Sequence, residues 1–142
     1  MKLLRYGAPG AEKPGLLDRD GRIRDLSGTV RDIDGDSLAP AALDRLRRLD
    51  PASLPVVTGS PRLAACVGRV SKLVAIGLNY RAHAAEAGAA IPKEPIFFLK
   101  ATSCICGPND DIIIPKGSQK TDWEVELGIV IGSAARYIAV HD

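Results

Sequence analysis

KLVAIGLNY, residues 72–80, is a nearly continuous apolar run that breaks up at Gly77 and Asn79. It has the pattern of a strand buried on both faces. Asn79 is placed to cap a helix across YRAHAAEAG (80–88), where alanine is abundant and Gly88 supplies a positive-φ stop. Downstream, IFFLK (96–100), DIIIP (111–115) and WEVELGIVIG (123–132) read as three more strands separated by proline and glycine turns. From Val70 onward the chain is therefore strand-rich with one short helix. Helices do not alternate with strands, so the expected class is α+β, β-dominated, and not a doubly wound sheet.

Upstream, KLLRY (2–6) reads as a short strand. PGLLDRDGRIRDL (14–26) reads as a hairpin, because Asp20-Gly21 can supply positive φ between two short apolar runs. PAALDRLRRLD (40–50) spaces Leu43, Leu46 and Leu49 three apart, with Pro40 in a first helical turn and Pro51 as a stop, which predicts one amphipathic helix. PASLPVVTGSPR (51–62) has the composition of a linker. The division that follows is a small N-terminal domain with its linker over 1–62 and the start of a second, β-rich core over 63–142.

The 142 residues carry a formal net charge of +2, with both signs scattered along the chain and no dense basic tract, which argues against nucleic acid as a partner. Purely apolar runs such as Ile112–Ile114 are only a few residues long and fall far short of the ~20 residues of a membrane span. MKLLRYGAPGAEKPG lacks the apolar core of a secretory signal. Cys66, Cys104 and Cys106 are odd in number and without CxxC spacing, as expected of reduced thiols in the cytoplasm. Cys104-x-Cys106 offers a soft metal two ligands, but no second Cys/His pair at finger spacing completes the set.

Three groups could do chemistry. On a strand over TDWEVELGIVIG (121–132), Trp123, Val125, Leu127, Ile129 and Ile131 share one face, and Asp122, Glu124 and Glu126 share the other. Like charges two positions apart then sit about 7 Å from one another at roughly 3.3 Å per residue, and repel unless water or a cation screens them. Glu124 and Glu126 can converge on one hard divalent ion, Mg²⁺, Mn²⁺ or Ca²⁺, with Asp122 as a third ligand or outer acceptor; a solvated strand face has the same pattern. His83 and Glu86 lie three apart on the short helix, so a carboxylate can hold an imidazole ready as a general base, or the two can form an ordinary surface pair. Lys100, closing IFFLK, can meet an anionic substrate or simply extend its charge into water. His141 and Asp142 receive no role.

GLNY-RAHAAE, P-IFFLK, GPNDDIIIP and DWEVELGIVIG, in that order and spacing, resemble the fumarylacetoacetate hydrolase family over roughly residues 70–140. The leading segment MKLLRYGAPGAEKPGLLDRDGRIRDL looks like the small first domain of its bacterial members, among them proteins named ureidoglycolate lyase and acylpyruvate or diketo-acid hydrolase.

The resemblance implies a mixed β-sandwich roll binding one Mg²⁺ or similar ion, and C–C cleavage of a 2-oxo or diketo acid of the acylpyruvate type. By position it makes Glu124 and Glu126 two of three carboxylate metal ligands and His83 and Glu86 the water-activating dyad; Lys100, from its place at the strand end, is the candidate substrate contact. It also implies a cytoplasmic catabolic enzyme, homodimeric at full length, acting on a small molecule. The family's third ligand, an aspartate in an Asn-Asp-Val-Ser type motif, and the lysine and Gly-Thr-Pro loop beyond it have no counterpart before the sequence ends at ARYIAVHD. The expectation is thus a fragment, inactive alone. The alternatives are one subunit of a split enzyme, a non-catalytic binding module, or a member with ureidoglycolate lyase, isomerase or decarboxylase chemistry.

Overall fold

A computed structural model describes residues 1–141; Asp142, which has no assigned role, lies outside the described residues. The architecture is α+β, strand-rich with few and short helices. The chain divides into two compact units, one comprising Met1–Gly68 with the chain from Gly107 on, the other Arg69–Cys106.

The first unit opens with an antiparallel sheet in the order β1 (Lys2–Tyr6), β2 (Lys13–Leu17), β3 (Ile23–Asp25). Leu3 pairs with Leu16, and Leu16 in turn with Arg24. The β2–β3 turn closes through Asp18 N–H to the Arg22 carbonyl at 3.0 Å, and the Asp18 carboxylate accepts the backbone N–H groups of Asp20 and Arg22. Gly21 takes φ +77°, the conformation that the hairpin reading requires of it.

Two helices follow. Helix α1 (Gly35–Leu38) starts at Asp34, whose carboxylate accepts from the N–H groups of Asp36 and Ser37 while Ser37 Oγ accepts from the Asp34 N–H, a reciprocal cap. Helix α2 (Pro40–Arg47) has Pro40 in its first turn and ends three residues earlier than the sequence suggests, with Arg48 as its cap. Leu46 is nonetheless buried with Leu16, Leu26 and Ile33, and Leu43 and Leu49 pack against that cluster with Leu3, Val30, Leu38 and Leu54. The predicted leucine stripe is the face that seals the sheet; Leu49 reaches it from the turn after the helix.

Residues 51–62 do more than link. After a single 3₁₀ turn (Pro51–Ser53), Asp25 N–H donates to the Pro55 carbonyl and Val57 N–H to that of Ile23, both at 2.9 Å. Gly7 N–H meets the Arg62 carbonyl and Ala64 N–H that of Arg5. A segment with linker composition thus satisfies exposed edges of the sheet at both ends, because unpaired strand groups favour any extended neighbour.

Beyond Gly107 the expected strands at 111–115 and 123–132 are not formed. Ile112, Ile113, Ile114, Trp123, Val125, Leu127, Ile129 and Ile131 are all exposed. A strand needs a neighbour to take its alternate N–H and C=O groups, and among the described residues none pairs with these segments.

The second unit is a two-stranded antiparallel ribbon, β4 (Leu73–Gly77) with β5 (Ile96–Lys100), joined through helix α3 (Arg81–Glu86). Gly88 stops α3 at φ +63°, as expected, with Ala89 N–H on the Ala84 carbonyl at 2.8 Å. The N-cap is Tyr80, one residue later than expected, and no side chain caps it. Val74 stands opposite Leu99 and Ile76 opposite Phe97, so these four share one face of the ribbon. They are 51%, 72%, 43% and 74% exposed, so β4 is not the strand buried on both faces that its composition suggests.

Candidate functional site

Helix α3 carries His83 and Glu86 one turn apart, and His83 Nδ1 lies 3.9 Å from Glu86 Oε2. That is within ion-pair reach and longer than a hydrogen bond. Both side chains are mostly solvent-exposed, so a rotamer change can shorten the gap; catalytic contacts are often loose before substrate arrives. The helix is short but defined at its C-terminal end, where Ala87 N–H donates to the His83 carbonyl at 2.9 Å. Sequence spacing and local structure therefore agree on placing these two groups side by side.

Lys100 ends β5 opposite Leu73 and is exposed. By strand alternation it shares the face of Ile96 and Phe98. His83, Glu86 and Lys100 all belong to the second unit.

Glu124 and Glu126 stand in the irregular, exposed stretch of the first unit. Two carboxylates are the right donor chemistry for a hard divalent ion. In number they fall short: among the described residues no three His, Cys, Asp or Glu side chains come together in a group that could hold a metal ion. Glu124 and Glu126 thus fit a Mg²⁺-type ion by donor type and not by number. Cys104 and Cys106 are free and exposed, as is Cys66.

A feature that sequence patterning does not reveal anchors GPND, residues 107–110, to the first sheet. Arg62 Nε donates to Asp110 Oδ1 at 2.6 Å and Nη2 to Oδ2 at 2.5 Å, and Gly107 N–H adds a bond to Oδ2 at 2.6 Å. The Arg62 guanidinium, followed by the Gly107 N–H, holds the Asp110 carboxyl below its usual range. Arg62 also lies 3.7 Å from Glu12, and Arg5 pairs with Asp32 at 2.7 Å and reaches Glu12 at 3.6 Å. The pairs span 48 and 27 residues of chain, separations at which no local pattern signals contact. An open cleft of about 630 Å³, lined by Lys2, Leu17, Asp18, Arg47 and their neighbours, contains none of the five candidate residues.

The family described as fumarylacetoacetate (FAA) hydrolase C-terminal matches residues 72–142. A Burkholderia multivorans protein named "Putative hydrolase" is 68% identical over 136 residues, 96% of this chain and 48% of its own length. A protein of the same name from Burkholderia ambifaria and a similarly named one from Burkholderia cenocepacia are 66% and 65% identical over the same shares. The chain spans about half the length of the curated relatives it matches. No helix among the described residues is long and apolar enough to cross a membrane.

Proposed function

From the premise that this chain belongs to the fumarylacetoacetate hydrolase family, we propose that it forms part of a metal-dependent hydrolase or lyase that cleaves a C–C bond in a 2-oxo or diketo acid. The observation that carries this reading is the pairing of His83 with Glu86 across one turn of α3, in a segment that the family match covers.

Glu86 orients the imidazole of His83 and stabilises its protonated form. His83 takes a proton from water, whose oxygen adds to the distal acyl carbonyl of an acylpyruvate. The C–C bond between that carbonyl and the adjacent carbon breaks, and its electron pair passes to the 2-oxo fragment as an enolate. Protonation of that enolate returns the 2-oxo acid, while the acyl portion leaves as a carboxylic acid. Lys100 contributes a cation for the substrate carboxylate.

Glu124 and Glu126 would hold the divalent ion, Mg²⁺ or a similar cation, with further ligands from the part of the relatives that this chain does not match. When bound, the ion supplies Lewis-acid polarisation of the 2-oxo group. The donor count supports inactivity of the chain by itself, since two carboxylates leave most of a six-coordinate shell to water. Three free cysteines support a reducing, cytoplasmic setting, and the small polar substrate fits an enzyme of catabolism.

The test is acylpyruvate cleavage with added Mg²⁺ or Mn²⁺, followed for this chain alone and for the chain joined to the unmatched half of the B. multivorans relative. Metal-dependent turnover by the joined form alone supports the reading. Turnover that chelation leaves unchanged, or none with any 2-oxo or diketo acid, overturns it.

A further inference from the structure

Leu78, between the end of β4 at Gly77 and the cap of α3 at Tyr80, is held in the left-handed region at φ +49°. There a Cβ crowds the following carbonyl oxygen, so glycine takes the conformation freely and leucine does not. A glycine stands next door, but it belongs to the ribbon: Gly77 pairs with Ile96, and a Cβ on it would lie 3.4 Å from Ile96 Cγ2. The turn out of β4 therefore falls on a side chain that resists it. Backbone outliers of this kind persist where their surroundings over-determine them, and they cluster at functional sites. This one precedes His83 by five residues.

Little else fixes where α3 points. It has six residues, too few to be stable by itself, and no side chain caps its N-terminus. Ala84 is its one buried residue, and the bonds from Ala84 N–H to the Tyr80 carbonyl and from Ala87 N–H to that of His83 run along the helix itself. Direction relative to β4 is thus set in Leu78, Asn79 and Tyr80. Tyr80 is extended, at φ −114° and ψ 128°, which leaves Leu78 as the point where the chain reverses. At positive φ a leucine is confined to one small well, about +50 to +70°, whereas glycine ranges through the whole positive half of the map. A strained leucine gives the turn a defined angle.

On the catalytic reading of His83, from which this follows, we propose that Leu78 is a positioning residue: its left-handed backbone at the end of β4 fixes the direction of α3, and with it the approach of His83 and Glu86 to the substrate. Glycine at this position would relieve the crowding and let the helix swing. The molecule would then gain stability and lose aim, and a misplacement of about 1 Å is enough to slow a positioned reaction severely.

The experiment compares backbone N–H residual dipolar couplings of the full chain, weakly aligned, with those of Leu78→Gly. One alignment tensor is expected to fit Leu73–Gly77 and Arg81–Glu86 together in the parent; in Leu78→Gly the helix couplings shrink to about half or less while those of the ribbon stay. The thermal midpoint of Leu78→Gly equals or exceeds that of the parent. In the chain joined to the unmatched half of the B. multivorans relative, Leu78→Gly lowers kcat about tenfold or more with KM within about twofold. Leu78→Asn, whose short side chain accepts the left-handed well, restores most of that rate, and Lys93→Gly in the exposed loop before β5 changes neither couplings nor rate. A slower enzyme of undiminished stability distinguishes positioning from mere support of the fold. Undiminished helix couplings in Leu78→Gly, an unchanged kcat, or a loss of rate matched by a lower midpoint overturns the assignment. A parent without turnover overturns the catalytic reading instead, and the couplings then decide for Leu78.

Discussion

Arg62 holds Asp110 through two parallel guanidinium bonds, 2.6 Å from Nε to Oδ1 and 2.5 Å from Nη2 to Oδ2, across 48 residues of sequence. The fork geometry fixes direction as well as distance, which a lysine cannot reproduce. Asp110→Asn removes the charge and one bond of the fork while keeping its shape. The expected outcome is a lower midpoint for thermal unfolding than in the parent chain, with Arg62→Lys falling as well; equal midpoints would show that the clamp contributes nothing.

The same clamp leaves no room for a side chain at its hinge. A Cβ on Gly107 would lie 2.3 Å from the Leu63 carbonyl oxygen and 3.2 Å from Ala64 Cα, both backbone atoms that cannot step aside. Gly107→Ala is expected to cost about 1–3 kcal/mol through overpacking. Gly128→Ala meets nothing within 4 Å and is expected to be neutral. Denaturant midpoints of the two variants provide the comparison.

Acid should loosen the first unit by a definite route. Asp18 is pulled down from 3.8 to about 2, first by the Arg22 backbone N–H and then by the Arg24 guanidinium; Asp110 is lowered by Arg62 and Gly107. Both carboxyls have folded-state values below their unfolded ones, so their contribution is complete above about pH 4 and is lost as pH falls below it, for Asp18 as pH approaches 2. Stability measured against pH should decline over that window, and Asp110→Asn should flatten part of the decline. A curve of the same shape in the variant would contradict the assignment.

At the alkaline end Tyr6 moves the other way. Desolvation, aided by a hydrogen bond to Asp25, raises its phenol to about 12. The fold favours the neutral form, so its contribution is complete below about pH 10 and disappears as pH climbs through 12. Phenolate absorbance should show a late-titrating group that Tyr6→Phe removes.

Much of the first unit was legible in the sequence. The Asp20-Gly21 turn, the Pro40 start and the Leu43/Leu46/Leu49 stripe are local signals, and each corresponds to a local interaction. The Arg62–Asp110 and Arg5–Asp32 pairs were not legible, because ion pairs formed across long loops leave no periodic trace. WEVELGIVIG shows the limit from the other side. Alternation at Trp123, Val125, Leu127, Ile129 and Ile131 states which face a strand would bury, but pairing requires a neighbour, and none of the described residues provides one. At the candidate site, i,i+3 spacing alone placed His83 beside Glu86, since both partners sit on one helix. The Glu-x-Glu pattern identified two carboxylates without supplying the further ligands that a hard ion requires.

Ile33 tests the core directly. It is 1% exposed and packed with Leu16, Leu26 and Leu46. Ile33→Ala is expected to destabilise by about 2–5 kcal/mol, as for other buried large-to-small changes. A loss well under 1 kcal/mol by urea denaturation would place the core elsewhere.

The proposed chemistry gives His83 the proton of the attacking water and Glu124, with Glu126, the divalent ion. The measurement that bears on it most directly is acylpyruvate turnover with Mg²⁺ by the chain joined to its relatives' unmatched half, compared with His83→Ala and Glu124→Ala in that same form. The account predicts that each substitution lowers kcat/KM by about a hundredfold or more, as removal of a general base or a metal ligand should. Rates equal to the parent in both variants would contradict it.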